Sequence, residues 1–259
     1  YSSLSPWLKN TETSRWAGPG IRPFQMKEDN YRSSKQQLLK AFDRSIARSR
    51  GVLIARYGHE QAEALIQESR AEYEMIIPQI PFIGRRSPFL MFLLPTSRYL
   101  AMYRVLRRKD MATAEAGRII FQMNEAELDA IPMPLRRIIG YVWFSPWFIR
   151  RLRKRAAESQ EQRYPGGYLL TFIEGDVRMF DYGIDYTACA GCVLLNQLGA
   201  PELAPFMCAL DKGASENLGW GLTRTMTIAE GHGKCDFRFK KGGKTDIIIP
   251  PFVKEACKL

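Results

Sequence analysis

From Tyr31 onward apolar residues recur at helical spacing. Leu38, Leu39, Phe42, Ile46 and Leu53 form one run, and Ala62, Leu65, Ile66, Ala71 and Tyr73 form a second. Ile77-Pro78-Gln79-Ile80-Pro81 predicts the end of that helical stretch, because each proline disfavours helix at the residue before it. Residues 88–108 are the most apolar part of the chain, with Pro95 expected to interrupt them and charges closing them. Asp110 reads as the cap of a further helix through Glu115, Ile119, Ile120, Met123 and Leu128. Arg136 to Arg151 then encloses an aromatic-rich apolar core between arginine pairs. A core of that length suits a buried helix or a subunit contact, and equally a basic helix lying in a membrane interface.

Beyond Arg155 the composition turns polar, and Tyr164-Pro165-Gly166-Gly167 marks a turn. There the periodicity changes from helical to alternating. Tyr168–Ile173 and Val177–Tyr182 are expected to pair as strands around Glu174-Gly175-Asp176. Asp185 or Thr187 reads as the cap of a helix ended by Gly199, and a second helix begins near Pro201 and ends at Gly219. Leu222 to Glu230 alternates as a strand, turns at Gly231-His232-Gly233-Lys234, and returns through Cys235, Phe237 and Phe239. The fold class expected is α+β: a helical N-terminal half, then a small α+β domain with antiparallel strands and two helices. Three regions follow: an irregular aromatic arm over 1–30 carrying Trp7, Trp16 and Phe24, a helical region over 31–160, and a catalytic α+β domain over 161–259.

Charge sharpens this picture in one place. The chain carries a net +11, and residues 84–155 hold fifteen Lys or Arg against five Asp or Glu, a local +10. Such a field attracts anions, whether carboxylate substrates or an acidic membrane surface. No nucleic-acid-binding module is legible among the arginines and aromatics, so nucleic acid is not expected as a partner. The segment 136–155 is the place for peripheral membrane contact or for a homo-oligomer contact. An odd set of five cysteines, with no Asn-x-Ser/Thr sequon, points to a reducing, cytoplasmic setting. No run of eighteen apolar residues is present.

Four of the five cysteines fall between 189 and 235, each beside carboxylates or hydroxyls. Cys189 and Cys192 sit three apart at the start of the first C-terminal helix, where the helix dipole lowers a thiol pKa. Cys189 is the thiolate candidate on position, set against the reading of a small buried hydrophobe. Cys208 and Asp211 share one face of the next helix at i, i+3. Arg224 lies on an otherwise apolar strand face and needs a carboxylate, supplied either by Glu230 or by a ligand. Four thiols are enough for a structural zinc, with His232 in the turn as a further donor. Only one Cys-x2-Cys occurs, however, so no metal and no cofactor are expected.

Asp185-Tyr186-Thr187-x-Cys189-x-x-Cys192, Gly199-Ala200-Pro201-Glu202-Leu203-Ala204-Pro205, and Arg224-Thr225-x-Thr227-Ile228-Ala229-Glu230-Gly231 with Cys235-Asp236-Phe237-Arg238-Phe239 resemble the L-2-amino-thiazoline-4-carboxylic acid hydrolase family. The resemblance extends more loosely back to about Ile80 through Pro81-Phe82-Ile83-Gly84 and Tyr99 to Leu106. It implies a hydrolase acting on a non-peptide C–N bond, opening a cyclic amidine-like ring of a small carboxylate substrate. Under that implication Cys189 or Cys235 is the reactive thiol, and Asp211, Glu230 or Asp236 the acid–base group. Arg224 would meet the substrate carboxylate, with Tyr186, Thr227, Cys192, Cys208 and His232 lining the site. Two alternatives stand beside it: a divergent member acting on a larger metabolite, and a non-catalytic small-molecule-binding module. The last hairpin also resembles, more faintly, domains of the 4-vinyl-reductase type. Arg224 and Thr227 stand where a Glu and a Cys bind zinc in those domains, which argues against that zinc site here.

Overall fold

A computed structural model describes residues 31–259, apart from Arg86 and Val177. The expected arm with Trp7, Trp16 and Phe24 lies outside the described residues, as does Val177. Helix α1 runs from Lys35 to Ile76, and Gly58 breaks it with φ 76° and ψ 171°. Only glycine is at ease in that conformation, and it falls between the two periodic runs. A 3-10 turn, Ile77–Gln79, ends the helix where the prolines demand it. Helix α2 spans Leu90–Arg108 and continues through Pro95, contrary to the expected interruption. Pro95 costs one backbone bond near the helix start, while Thr96 Oγ1 and Ser97 Oγ donate back to the carbonyls of Phe92 and Leu94.

Helix α3 spans Thr113–Asp129, and its cap is not Asp110. Asp110 takes a left-handed φ of 58° in the turn after α2, so extended Ala112 opens the helix and its carbonyl accepts from the N–H groups of Glu115 and Ala116. The α1–α2–α3 layer closes over an apolar core around Phe42, Leu53, Leu100 and Ile119. One carboxylate is buried in it: Glu72, ion-paired to Arg104 and Arg108 one turn apart on α2 at 3.0 and 2.6 Å. The arginine-bounded segment is two helices, α4 (Met133–Trp143) and α5 (Pro146–Ser159), because Ser145 caps α5 with Pro146 at its first position. Trp143 alone of α4 is buried, stacked on Trp220 with centroids 4.2 Å apart. The reading of this segment as a core helix is therefore corrected.

The C-terminal region is an α+β unit around a five-stranded sheet in the order β1-β2-β4-β3-β5. The strands are β1 (Leu169–Glu174), β2 (Tyr182–Ala188), β3 (Leu222–Arg224), β4 (Cys235–Phe239) and β5 (Asp246–Ile247), and all neighbours are antiparallel except β3 and β5. The partner of β1 begins at Tyr182, later than the expected Val177–Tyr182, because Asp176 accepts the N–H groups of Met179 and Phe180 and holds the connection as a loop. Asp185 and Thr187 consequently lie in β2 and cap no helix. Helix α6 spans Ala190–Gln197 with Cys189 at its N-cap, and α7 spans Ala204–Leu218 after a 3-10 turn at Pro201–Leu203.

The expected strand Leu222–Glu230 stops at Arg224. Asp236 takes the N–H groups of Thr225 and Met226, and Thr227 caps a 3-10 turn, Ile228–Glu230, so the backbone donors a longer strand would need are already used. Helix α8 (Pro251–Cys257) packs against α3. Helix α3 also lies on α7 so tightly that a Cβ on Gly117 would stand 2.4 Å from the Phe206 ring. The inner face of the sheet carries Tyr182, Ile184 and Tyr186 on β2, opposite Phe239, Phe237 and Cys235 on β4. Among the described residues no helix is long and apolar enough to cross a membrane.

Candidate active site

Three local designs bring one group of side chains to the inner face of the sheet. The β2–α6 junction places Cys189 at the N-cap and Cys192 on the first turn of α6. One turn of α7 carries Cys208 and Asp211, and the inner faces of β3 and β4 add Arg224 and Cys235. The pairing Leu169↔Ala188 sets Tyr168 beside Cys189, and Tyr168 packs on Tyr186 at 6.0 Å and on Phe89 at 5.3 Å. Phe237 completes the aromatic wall, 5.2 Å from Tyr186 and 5.5 Å beneath the Arg224 guanidinium. Among the described residues neither Tyr168 nor Tyr186 gives its hydroxyl a hydrogen-bond partner. All five cysteines are free thiols.

Arg224 is the most confined charge in this part of the molecule, 1% exposed. Its Nη1 donates to Asp211 Oδ2 at 2.5 Å and to the Cys208 carbonyl at 3.0 Å, and its Nη2 reaches the Ile248 carbonyl at 3.5 Å. The expected partner Glu230 is corrected to Asp211. Glu230 instead accepts from Thr227 Oγ1 at 2.7 Å, and its N–H donates to that same hydroxyl. Among the described residues Arg224 Nε is buried without a hydrogen-bond partner.

The environments divide the titratable groups sharply. The Cys192 thiol, donating towards Cys189, together with the N–H groups of Cys192 and Gly191, lowers the Cys189 pKa against the opposing effect of burial. Cys192, as the donor, is held well above the ordinary thiol value. Burial raises Cys208 well above it too, and pushes Cys235 up to about 12 although its sulfur accepts the Ile228 N–H at 3.1 Å. Burial also raises Asp211 to about 6, outweighing the ion pair with Arg224. Tyr168 and Tyr186 are raised by burial, with Asp211 and Cys189 adding to the shift. Cys189 and Asp211 remain partly exposed, so a lowered thiol and a raised carboxylate are both reachable.

Tyr186, Cys189, Cys192, Cys208, Asp211, Arg224 and Cys235 thus share one electrostatic neighbourhood. Asp236 is committed to Thr225 and Met226, Thr227 to its cap, and His232 stands exposed in the turn. Tyr168 is the neighbour that sequence reasoning missed. With β1 paired to 177–182, as expected, Tyr168 has no route to Cys189; the true register is the signal that places it there. Among the described residues, no group of three or more His, Cys, Asp or Glu side chains is arranged to hold a metal ion.

The fold and site define an α+β protein in which four thiols and one raised carboxylate are gathered between the inner face of the sheet, the start of α6 and one turn of α7. Residues 152–239 match the model of the family L-2-amino-thiazoline-4-carboxylic acid hydrolase. This match is the family resemblance of the chain, and it runs from Leu152, midway along α5, through β4, including every residue of the cluster from Tyr168 to Cys235. Helices α1 to α4 fall outside it. No curated protein and no solved structure matches the chain.

Proposed function

We propose that the protein is a thiol-dependent hydrolase that opens the C–N bond of a cyclic amidine-like small molecule, of the class exemplified by L-2-amino-thiazoline-4-carboxylate. The observation that carries this reading is the pairing of opposite shifts: a reachable Cys189 whose thiolate is favoured, beside an Asp211 that holds a proton up to about pH 6. Environments that push two groups apart in this way suit nucleophile and general acid. The family match over this segment supports the hydrolase class.

In the proposed sequence the Cys189 thiolate attacks the amidine carbon and a C–S bond forms. The ring C–N bond breaks, its electron pair goes to nitrogen, and Asp211 supplies the proton. Water then adds to the same carbon and gives a proton to Asp211, and Cys189 leaves as thiolate. The net change is one water added. Tyr168 and Tyr186, protonated at neutral pH, can donate to the substrate as charge develops. Arg224 acts as a positioning residue, since its Nη1 is spent on Asp211 and the Cys208 carbonyl.

A second reading is a divergent member taking a larger apolar metabolite, and the aromatic wall of Phe89, Tyr168, Tyr186 and Phe237 beside the cluster is the feature that favours it. Purified protein incubated with L-2-amino-thiazoline-4-carboxylate, followed by mass spectrometry, separates the two. Enzyme-dependent gain of one water supports the first reading. A folded protein with no turnover rejects that substrate and favours the larger metabolite. Ligand binding that survives alkylation of the thiols, with no turnover of any ligand, would instead indicate a binding module.

A further inference from the structure

Helix α4 is packed the wrong way round for a core helix. The stripe it turns inward is Arg136, Ile139, Gly140 and Trp143, at i, i+3, i+4 and i+7, with Ile139 only partly buried. Arg136 is hydrogen-bonded to Asn217 and to the Ile131 and Asp129 carbonyls. Gly140 faces the Leu218 carbonyl so closely that a Cβ would stand 2.3 Å from its oxygen. The apolar stripe points outward: Ile138 is 59% exposed, Tyr141 69% and Val142 39%, and Trp147 at the start of α5 is 62% exposed. A patch of this kind on an otherwise ordinary surface marks an interaction site.

Its surroundings are basic. Arg137, Arg150, Arg151 and Lys154 are exposed around it. Among the described residues neither Arg137 nor Arg150 meets a carboxylate, and Arg151 lies 5.7 Å from the centre of the Trp147 ring. Beside Trp147 an apolar hollow of about 360 Å³ opens between Pro88, Val142, Phe148 and Leu152, with Arg151 at its rim. Exposed Trp, Tyr and Ile ringed by arginines is the composition that enters the boundary between headgroups and acyl chains, with the cations at the phosphates.

We infer that α4 and the first turns of α5 dock the protein on the surface of an anionic lipid bilayer. Ile138, Tyr141, Val142 and Trp147 enter the acyl boundary, and Arg137, Arg150, Arg151 and Lys154 meet headgroup phosphates. The charge of the face selects a bilayer over a second copy of the chain, because two such faces brought together would oppose arginines to arginines. The inference is independent of the proposed chemistry at Cys189.

The test is sedimentation of the full chain with phosphatidylcholine vesicles, with and without phosphatidylserine. The protein should pellet with the anionic vesicles at least tenfold more strongly than with the neutral ones, and less as salt rises. The Arg137→Glu/Arg150→Glu variant, with an unchanged Tm, should lose at least tenfold in partitioning, and Ile138→Ser/Tyr141→Ser should lose a similar factor. Quenching of Trp147 by brominated lipid, read as the difference between wild type and Trp147→Phe, reports insertion without disturbing the charges. Failure of the folded protein to bind anionic vesicles overturns the inference. So do equal binding to neutral vesicles, wild-type binding by both double variants, and a dimer that Ile138→Ser splits while lipid is ignored.

Discussion

Arg224 and Asp211 form a confined ion pair in which burial still governs the acid: Nη1 lies 2.5 Å from Oδ2, yet the carboxyl is raised to about 6. The guanidinium limits that rise without reversing it. Replacing Arg224 with Met should move the Asp211 inflection in a pH–rate profile upward, above about 6, with the largest loss of turnover at low substrate. An unmoved inflection would show that Arg224 does not act through Asp211.

The same shift fixes how stability varies with pH. Asp211 binds its proton more tightly in the folded state, about 6 against the ordinary 3.8, so folded protein holds more protons between those values. Its contribution to stability is complete below about pH 4 and is lost as pH rises through about 6. The loss is on the order of 3 kcal/mol, at 1.36 kcal/mol per unit. Urea unfolding of wild type and Asp211→Asn across this window should show the wild-type slope flattened in the variant.

Asp185 provides the contrasting case on the outer face of the sheet. Burial opposes its charge, but hydrogen bonds from Lys234 and Arg238, at 2.5 and 2.8 Å, hold it below the ordinary value. A depressed carboxylate stabilises above its unfolded pKa and loses that contribution as pH falls. Asp185→Ala should cost roughly 2 kcal/mol at neutral pH, since it strands two cations over a largely buried site. Its effect should appear in Tm and not in the rate at which Cys189 is alkylated.

The contact of α3 with α7, which sets the position of Cys208 and Asp211, depends on Gly117. Gly117→Ala drives a methyl into the Phe206 ring and should cost roughly 1–3 kcal/mol by overpacking. Calorimetry on that variant checks it, and an unchanged Tm would mean the two helices yield freely.

What the sequence displayed of this site is what short-range geometry can carry. Cys208 and Asp211 are one helical turn apart, so their shared face is readable from spacing alone. Cys189 precedes a helical run closely enough to be placed at its start. Arg224 announced its need for a carboxylate but not which one. Glu230 is nearer in sequence, yet the strand ends at Arg224 because Asp236 captures the next two N–H groups, and α7 delivers Asp211 instead. Tyr168 stayed hidden because the hairpin register was set by the Asp176 loop. Helix α4 misled for a related reason: its pattern is amphipathic, but a glycine and an arginine decide which side meets the body.

The most direct test of the account is the pH dependence of iodoacetamide alkylation at each cysteine, mapped by peptide mass spectrometry. Cys189 should react first, with an inflection below the ordinary thiol value of about 8.5, ahead of Cys257, which burial raises to about 11. Cys189→Ser should abolish the fast phase. A fast phase at Cys208, Cys235 or Cys257, or a Cys189 inflection at or above the ordinary value, would contradict the assignment of Cys189 as the activated thiol.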